Sequence, residues 1–320
     1  MNSRGRFMLV LIIVAFLASA QAYGQTYPGR PVTMIVPMPP GGPMDLTARM
    51  LAESVKPYLP QPVIVVNKAG GAGVIGINEA VQSAHDGYTL GLLAGNFFTY
   101  GPYLQDYPFK GGTVSLQPII TGTDFPLILY DRPDAPWKTF KEMLDYAKAN
   151  PGKIRIGHAG VYGAGHLTLE LMKQSTGANV TIVPYNGFAP LVAALMGGHV
   201  EGACINPGPG IGHMKAGKVR FLLAFSEKRL PDLPDVPSVR EAGYNFRLES
   251  SYYFVGGPKG LSKEVVQTLY AAFRKGKETE QFQEFSRKNL SIVNHASPEE
   301  MADYLNSAHA FYAEFSKKLK

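Results

Sequence analysis

Three glycines, Gly71, Gly73 and Gly76, form a G-x-G-x-x-G run behind an apolar stretch and ahead of a helical pattern. In that position a dinucleotide pyrophosphate would rest on a helix N-terminus. Such a site also needs an acid about 20 residues further on to hold the ribose, and the stretch 90–96 contains none. The glycines are therefore read as a close turn, and no cofactor is expected. The run 212–218 imitates a phosphate loop, but Val219 stands where the metal-binding hydroxyl belongs. A helix ending at Gly217 accounts for it. There is no G-x-S-x-G elbow and no H-E-x-x-H, and the seven histidines show no ligand spacing. His158 and His166 stand out because they bracket a glycine-rich loop. The single cysteine, Cys204, excludes an internal disulfide and any multi-cysteine metal site. With no activated nucleophile, base dyad or metal cluster, catalysis is not expected. A secreted enzyme on a two-lobe scaffold is the alternative, and it lacks its chemistry.

The stretch Met34-Ile35-Val36-Pro37-Met38-Pro39-Pro40-Gly41-Gly42-Pro43-Met44-Asp45 offers binding instead. Its apolar start reads as a buried strand and its Pro/Gly cluster as a tight loop. Ala48, Leu51, Ala52 and Val55 then recur at the spacing of one buried helical face. Pro43 suits the first helical position, where an N–H would be unpaired anyway. Strand, glycine turn and helix start aim free N–H groups and the positive dipole end at one point, a place for an anion. Asp45 would repel an anion in contact with it. At the third helical position it would rather bond the first-turn N–H groups and shape the loop.

Behind Arg4 and Arg6 lies an apolar run, 7–17, and then Ala18, Ala20 and Ala22. This is the pattern of a secretory signal peptide over 1–22; the run is too short to span a bilayer, which takes about 20 residues. The formal charge of +6 comes from scattered basic residues, so nucleic acid is a poor partner. Strands expected at 32–36, 62–67 and 88–93 alternate with helices, which implies a mainly parallel sheet covered on both faces. The loop and Asn96-Phe97 would then share the carboxyl ends of the strands. A fresh apolar strand over 118–131 restarts the pattern. Further strands are expected at 154–158, 180–184, 200–205 and 221–225, with helices at 138–149, 167–176 and 190–196. The strand-like run 252–255 and amphipathic helices at 263–286 and 298–319 close the chain. Phe97, Phe98, Phe125, Tyr162, Tyr185 and Phe188 fall at or near strand ends, where an aromatic side chain can line a site.

Several motifs stand in order along the chain: Tyr27-Pro28-x-Arg30-Pro31, the 36–45 loop, Asp86-Gly87-Tyr88-Thr89, the run 147–153, Val183-Pro184-Tyr185-x-Gly187-x-Ala189-Pro190, Ala216-Gly217-Lys218-Val219-Arg220 and Leu233-Pro234-Asp235-Val236-Pro237. With them the chain resembles the substrate-binding receptors of tripartite tricarboxylate transporters, the TctC or Bug family. The resemblance covers nearly all of the sequence after the leader. It implies a type II periplasmic binding protein fold: two α/β lobes, two hinge crossings and a central cleft. On this chain that gives lobe 1 as 26–122 with 250–320 and lobe 2 as 123–249, with crossings near 121–125 and 246–251. The implied function is periplasmic capture of a small carboxylate for the permease subunits of such a transporter, by a monomer; a receptor that mainly feeds a signalling sensor is the other possibility.

The resemblance places one carboxyl group of the ligand on Pro39, Pro40, Gly41 and Gly42; Asp45, at the helix start, and Asn96 and Phe97, at the carboxyl ends of the strands, are the candidates beside them. From the other lobe it brings His158, Ala159, Gly163, Ala164, Gly165, Tyr185, Asn186 and Gly187; His166, which closes the glycine-rich loop, and Asn206 are further candidates. The departures from the family pattern fall at this pocket. His158-Ala159 replaces small hydroxyl residues, Ile205-Asn206 replaces Asp-Asn, and Gly101-Pro102 replaces Asn-Pro. Losing an acid at Ile205 favours a less polar wall, on which Phe97, Phe188 and Tyr162 could stack a flat ligand. The expected ligand is thus a carboxylate with a sizeable apolar body, aromatic or dicarboxylic, with His158 meeting its distal end.

Overall fold

The computed structural model describes residues 27–160 and 163–318. The expected leader, 1–22, and Tyr162 lie outside the described residues. The described chain forms two five-stranded sheets. The first is built from β1 (Val32–Val36), β2 (Val63–Asn67), β3 (Thr89–Ala94), β4 (Leu116–Phe125) and β10 (Ser251–Pro258), in the order β2-β1-β3-β10-β4. The second takes β5 (Leu127–Asp131), β6 (Arg155–Ala159), β7 (Thr181–Tyr185), β8 (Gly202–Ile205) and β9 (Arg220–Phe225), in the order β7-β6-β8-β5-β9. Helices α1 (Pro43–Ser54), α2 (Val74–Val81), α7 (Lys263–Glu278) and α8 (Glu280–Asn289) belong to the first sheet's layers. Helices α3 (Phe140–Ala149), α4 (Ala164–Thr176), α5 (Phe188–Met196) and the short α6 (Ile211–Lys215) cover the second. The last helix, α9 (Pro298–Phe315), begins on the first core through Met301 and Leu305 and ends among second-core residues through Tyr312 and Phe315.

The sheets are mixed, where mainly parallel ones are expected from the alternation. β1 runs parallel to β2 and β3, and β6 to β7 and β8. But β10 is antiparallel to β3 and β4, and β5 is antiparallel to β8 and β9. The reversed strands, β10 in the first sheet and β5 in the second, each begin directly after the chain changes sheet. No helix intervenes between β4 and β5, so no crossover turns the chain round before it pairs. The run 118–131, expected as one strand, is likewise two. Phe125 ends β4, Leu127 starts β5, and Pro126 lies between them. The helix expected over 263–286 breaks at Thr279, whose side chain accepts from the Phe282 N–H and caps α8.

The G-x-G-x-x-G glycines make the close turn expected of them. Gly73 has φ +104°, and a Cβ on Gly76 would sit 2.5 Å from the Lys68 carbonyl oxygen and 2.9 Å from Pro37 Cα. Both obstacles are backbone, so α2 packs on the loop only because position 76 has no side chain. Gly76→Ala should lower the unfolding free energy by about 1–3 kcal/mol, the usual cost of overpacking, read from urea denaturation. An unchanged midpoint would mean that α2 is free to lift.

Candidate functional site

Between the lobes lies a cleft of about 670 Å³. From the first lobe, Met38, Pro39, Pro40, Gly42, Pro43, Met44, Asn96 and Phe97 line it; from the second, Ala159, Gly163, Ala164, Gly165, Phe188, Ile205 and Asn206 do. Two helices therefore start at this cleft from opposite sides, α1 at Gly42 and α4 at Gly163. The first N–H groups of a helix have no intrahelical partner, and neither start carries a side-chain cap. The N-caps of α2 and α5, Gly73 and Gly187, are uncapped glycines too. By contrast α3, α7, α8 and α9 begin on Thr139, Ser262, Thr279 and Ser297, each of which accepts from a first-turn N–H. The difference is visible in the sequence as Gly against Ser/Thr, but the Val74 and Ile75 N–H groups of α2 already bond the Gly71 and Gly70 carbonyls, so the starts of α1 and α4 are the ones that bring donors to the cleft from the two lobes.

No Lys or Arg is among the described residues lining the cleft, and Glu249 is its one acidic side chain. Burial raises the Glu249 carboxyl above its usual range, against the opposing pull of Tyr312 and Arg247. An anion here would meet backbone N–H groups and helix dipoles, not fixed positive charges. The body of the cleft is apolar and aromatic: Phe97, Tyr100, Leu104, Tyr107, Leu127, Phe188, Tyr252 and Tyr253 all contribute.

The residues singled out in the sequence divide into wall and support. Pro39, Pro40, Gly42, Asn96, Phe97, Ala159, Gly163, Ala164, Gly165 and Asn206 stand in the wall, whereas Gly41, Asp45, His158, His166, Tyr185, Asn186 and Gly187 are not among its lining. Asp45 is 2% exposed. Its carboxylate accepts from the Gly41 N–H at 2.9 Å, from Asn67 Nδ2 at 2.9 Å and from Arg49 Nε at 3.0 Å. Burial opposes its ionisation, yet these bonds to Arg49, Gly41 and Asn67 outweigh that and hold its pKa below the usual value. Asn67 also donates to the Met38 carbonyl at 3.0 Å, so Asp45 and Asn67 together fold the loop around the α1 start. Asn206 ties the first crossing: its Nδ2 donates to the carbonyls of Phe125 and Pro126 at 3.0 and 3.3 Å.

His158 is 2% exposed and lies behind the wall. Its ring stacks on His166 with centroids 4.7 Å apart, and Nδ1 sits 2.9 Å from the Gly160 carbonyl oxygen, a contact that needs the ring proton on Nδ1. It thereby holds the loop at the end of β6. Tyr107, Glu249, Tyr252 and Tyr253, which the sequence reading did not single out, reach the cleft from segments remote from the motifs. The aromatic density of 97–107 was the one available hint.

A two-lobed chain that passes from its first sheet to its second after β4 and returns before β10, with helix starts facing each other over a cleft, is a periplasmic binding protein of type II architecture. The chain belongs to the tripartite tricarboxylate transporter receptor family, whose model matches residues 47–308. It is 35% identical over 267 residues to Protein BugT of Bordetella pertussis, covering 82% of each chain. Among solved structures it is similar to a TctC solute-binding protein from Polaromonas, with a TM-score of 0.82, 29% identity and coverage of 92% of this chain and 100% of that one. R. palustris Rpa4515, solved with adipate, gives a TM-score of 0.74 at 26% identity, over 91% and 97% of the two chains. The family and these neighbours are solute-binding proteins, so the chain is a periplasmic solute receptor and not an enzyme.

Burial, and after it the neighbouring His166, lowers the His158 pKa from 6.5 to about 4. The unfolded chain takes up that proton near 6.5 and the folded one only near 4. This contribution to stability is therefore complete above about pH 6.5 and lost as pH falls towards 4. His158→Gln should show a smaller drop in urea midpoint than the wild type between those two limits. Parallel curves for the two proteins would show that His158 does not titrate in this way.

Proposed function

We propose that this receptor captures a small organic dicarboxylate with an apolar or aromatic body and delivers it to the permease subunits of a tripartite tricarboxylate-type transporter. The observation that carries the reading is the pair of glycine-capped helix starts, α1 and α4, facing one cleft from opposite lobes with no cationic side chain between them. One carboxylate docks on the N–H groups around Gly42 and Met44, the other on the Ala164 and Gly165 N–H groups at the start of α4, the Gly163 N–H being taken by the Gly160 carbonyl. Phe97, Phe188 and Tyr107 flank the body of the ligand. The adipate bound by Rpa4515 is a ligand of this kind. On this reading the lobes move about crossings at 125–127 and 246–251, so that all of β4, up to Phe125, travels with the first lobe, whereas a boundary at 122–123 would give its end to the second. The leader over 1–22 directs export, and the receptor works as a monomer.

Calorimetry with adipate, malate, benzoate and aspartate, on the wild type and on Gly42→Asp, tests the assignment. Position 42 has φ −80° and ψ 169°, which any residue adopts, and a Cβ there would meet nothing closer than 4.0 Å. An aspartate at that N-cap would take the first-turn N–H groups for itself and repel a second carboxylate. The expected outcome is adipate binding tighter than aspartate and tighter than the monocarboxylate benzoate in the wild type. In Gly42→Asp that affinity should fall at least about tenfold, about 1.4 kcal/mol, while the unfolding free energy changes by only a few tenths of a kcal/mol. Undiminished binding by Gly42→Asp would remove the α1 start from the site. Preference for aspartate over every other member of the panel would overturn the apolar-body reading.

A further inference from the structure

A second cavity, of about 580 Å³, shares Glu249, Ser250 and Tyr252 with the cleft and is otherwise lined by different residues. Its walls come from the first crossing, from the loop after β9, and from the segment leading into α9. Three polar atoms on its lining residues are buried and have no hydrogen-bond partner among the described residues: Thr121 Oγ1, Asp124 Oδ1 and Tyr252 OH. Thr121 is 3% exposed and Tyr252 7%. Buried polar groups are rarely left without partners, and here three belong to residues that line one space.

The charges around that space single out Asp124. Arg229 is engaged by Glu241 at 2.9 Å, Glu227 by Arg240 at 2.6 Å and Glu249 by Arg247 at 2.9 Å. Glu300 accepts the Ser297 N–H at 2.8 Å in a capping box. The buried Lys277 attracts Asp124, but it spends its hydrogen bonds on the Thr121 and Asn294 carbonyls, and burial lowers its pKa to about 7. Burial raises the Asp124 pKa, with Ser250 and Lys277 only partly opposing it. A carboxylate in that position is short of positive charge. Next to it, the Tyr252 and Tyr304 rings meet edge to face at 5.2 Å, and the Arg247 guanidinium, 5.7 Å from the Tyr304 centroid, shows that a ring face here attracts a cation. Leu230, Leu248, Ile292 and Met301 supply apolar walls. Lys228, also in the lining, disfavours more than one added positive charge.

We propose that this cavity is a binding site for a small organic monocation, an ammonium carried on an apolar body, held by the Asp124 carboxylate and the Tyr252 and Tyr304 rings. The site adjoins the carboxylate cleft through Glu249, Ser250 and Tyr252, but neither Asp124 nor Leu248 lines that cleft.

The test uses benzylamine, an ammonium at neutral pH, with benzyl alcohol as its neutral counterpart, titrated into the full mature receptor by calorimetry. Saturable binding of benzylamine is expected in the wild type. It should weaken at least about tenfold, about 1.4 kcal/mol, both in Asp124→Asn and in Leu248→Trp, which fills the cavity and leaves the carboxylate in place. Benzyl alcohol should bind more weakly than benzylamine. The proposal is overturned by no saturable binding of benzylamine, by equal binding of the alcohol, or by wild-type affinity in either folded variant. Should Asp124→Asn fail to fold by circular dichroism, Leu248→Trp decides the question.

Discussion

Helices need their first N–H groups answered, and this chain answers them in two ways. Away from the cleft, Ser and Thr side chains cap α3, α7, α8 and α9. At the cleft, glycines at the starts of α1 and α4 leave the donors to whatever enters. Exchanging a Ser cap for Gly costs a helix only a few tenths of a kcal/mol, whereas a charge-assisted hydrogen bond from such an N–H to a carboxylate is among the stronger ones available to a protein. The fold therefore gives up little stability to keep the cleft open to anions. Much of the surrounding structure serves those helix starts: Asp45 and Asn67 fold the loop before α1, and His158 fixes the turn before α4.

The crossings impose a second constraint. Strands that change sheet pair antiparallel with their neighbours, and the polar groups around them are buried with partners close by. Arg247, paired to Glu249, lies 5.0 Å from the Phe311 ring and 5.7 Å from those of Tyr304 and Tyr312. The end of α9 is thus fastened to the second crossing, and its Tyr312 and Phe315 sit in the core that the second lobe builds. A helix that begins in one core and ends in the other restricts how the lobes can part.

How far the sequence could be read follows from which signals are local. The opening strand, its loop and α1 were legible because apolar periodicity, Pro43 and the glycines all lie within one short stretch. The turn at Gly71–Gly73 was legible for the same reason. Strand direction was not, since β4 and β5 form one apolar run and the pairing of β10 depends on residues more than a hundred positions away. His158 shows the limit at the site. A histidine at a strand end invites a ligand role, but its ring lies behind the wall against His166 and Gly160, while the next residue, Ala159, lines the cleft. That parity is set by the register of β6 against β7 and β8, not by the residue type. Tyr107, Glu249 and Tyr252 likewise entered the cleft through tertiary folding alone.

Cys204 lies at the end of the second sheet nearest the cleft, fully buried, with its thiol pKa pushed well up by burial. A Cβ on Gly165 would stand 2.5 Å from the Cys204 carbonyl oxygen, so α4 presses directly on this strand. Thiol reagents act on exposed thiolates, and the only sulfhydryl in the chain is neither exposed nor ionised. To a maleimide the native protein is already cysteine-free. A pair of cysteines introduced on the outer faces of the two lobes would carry fluorophores without any prior substitution, and the distance between the lobes becomes directly observable in solution.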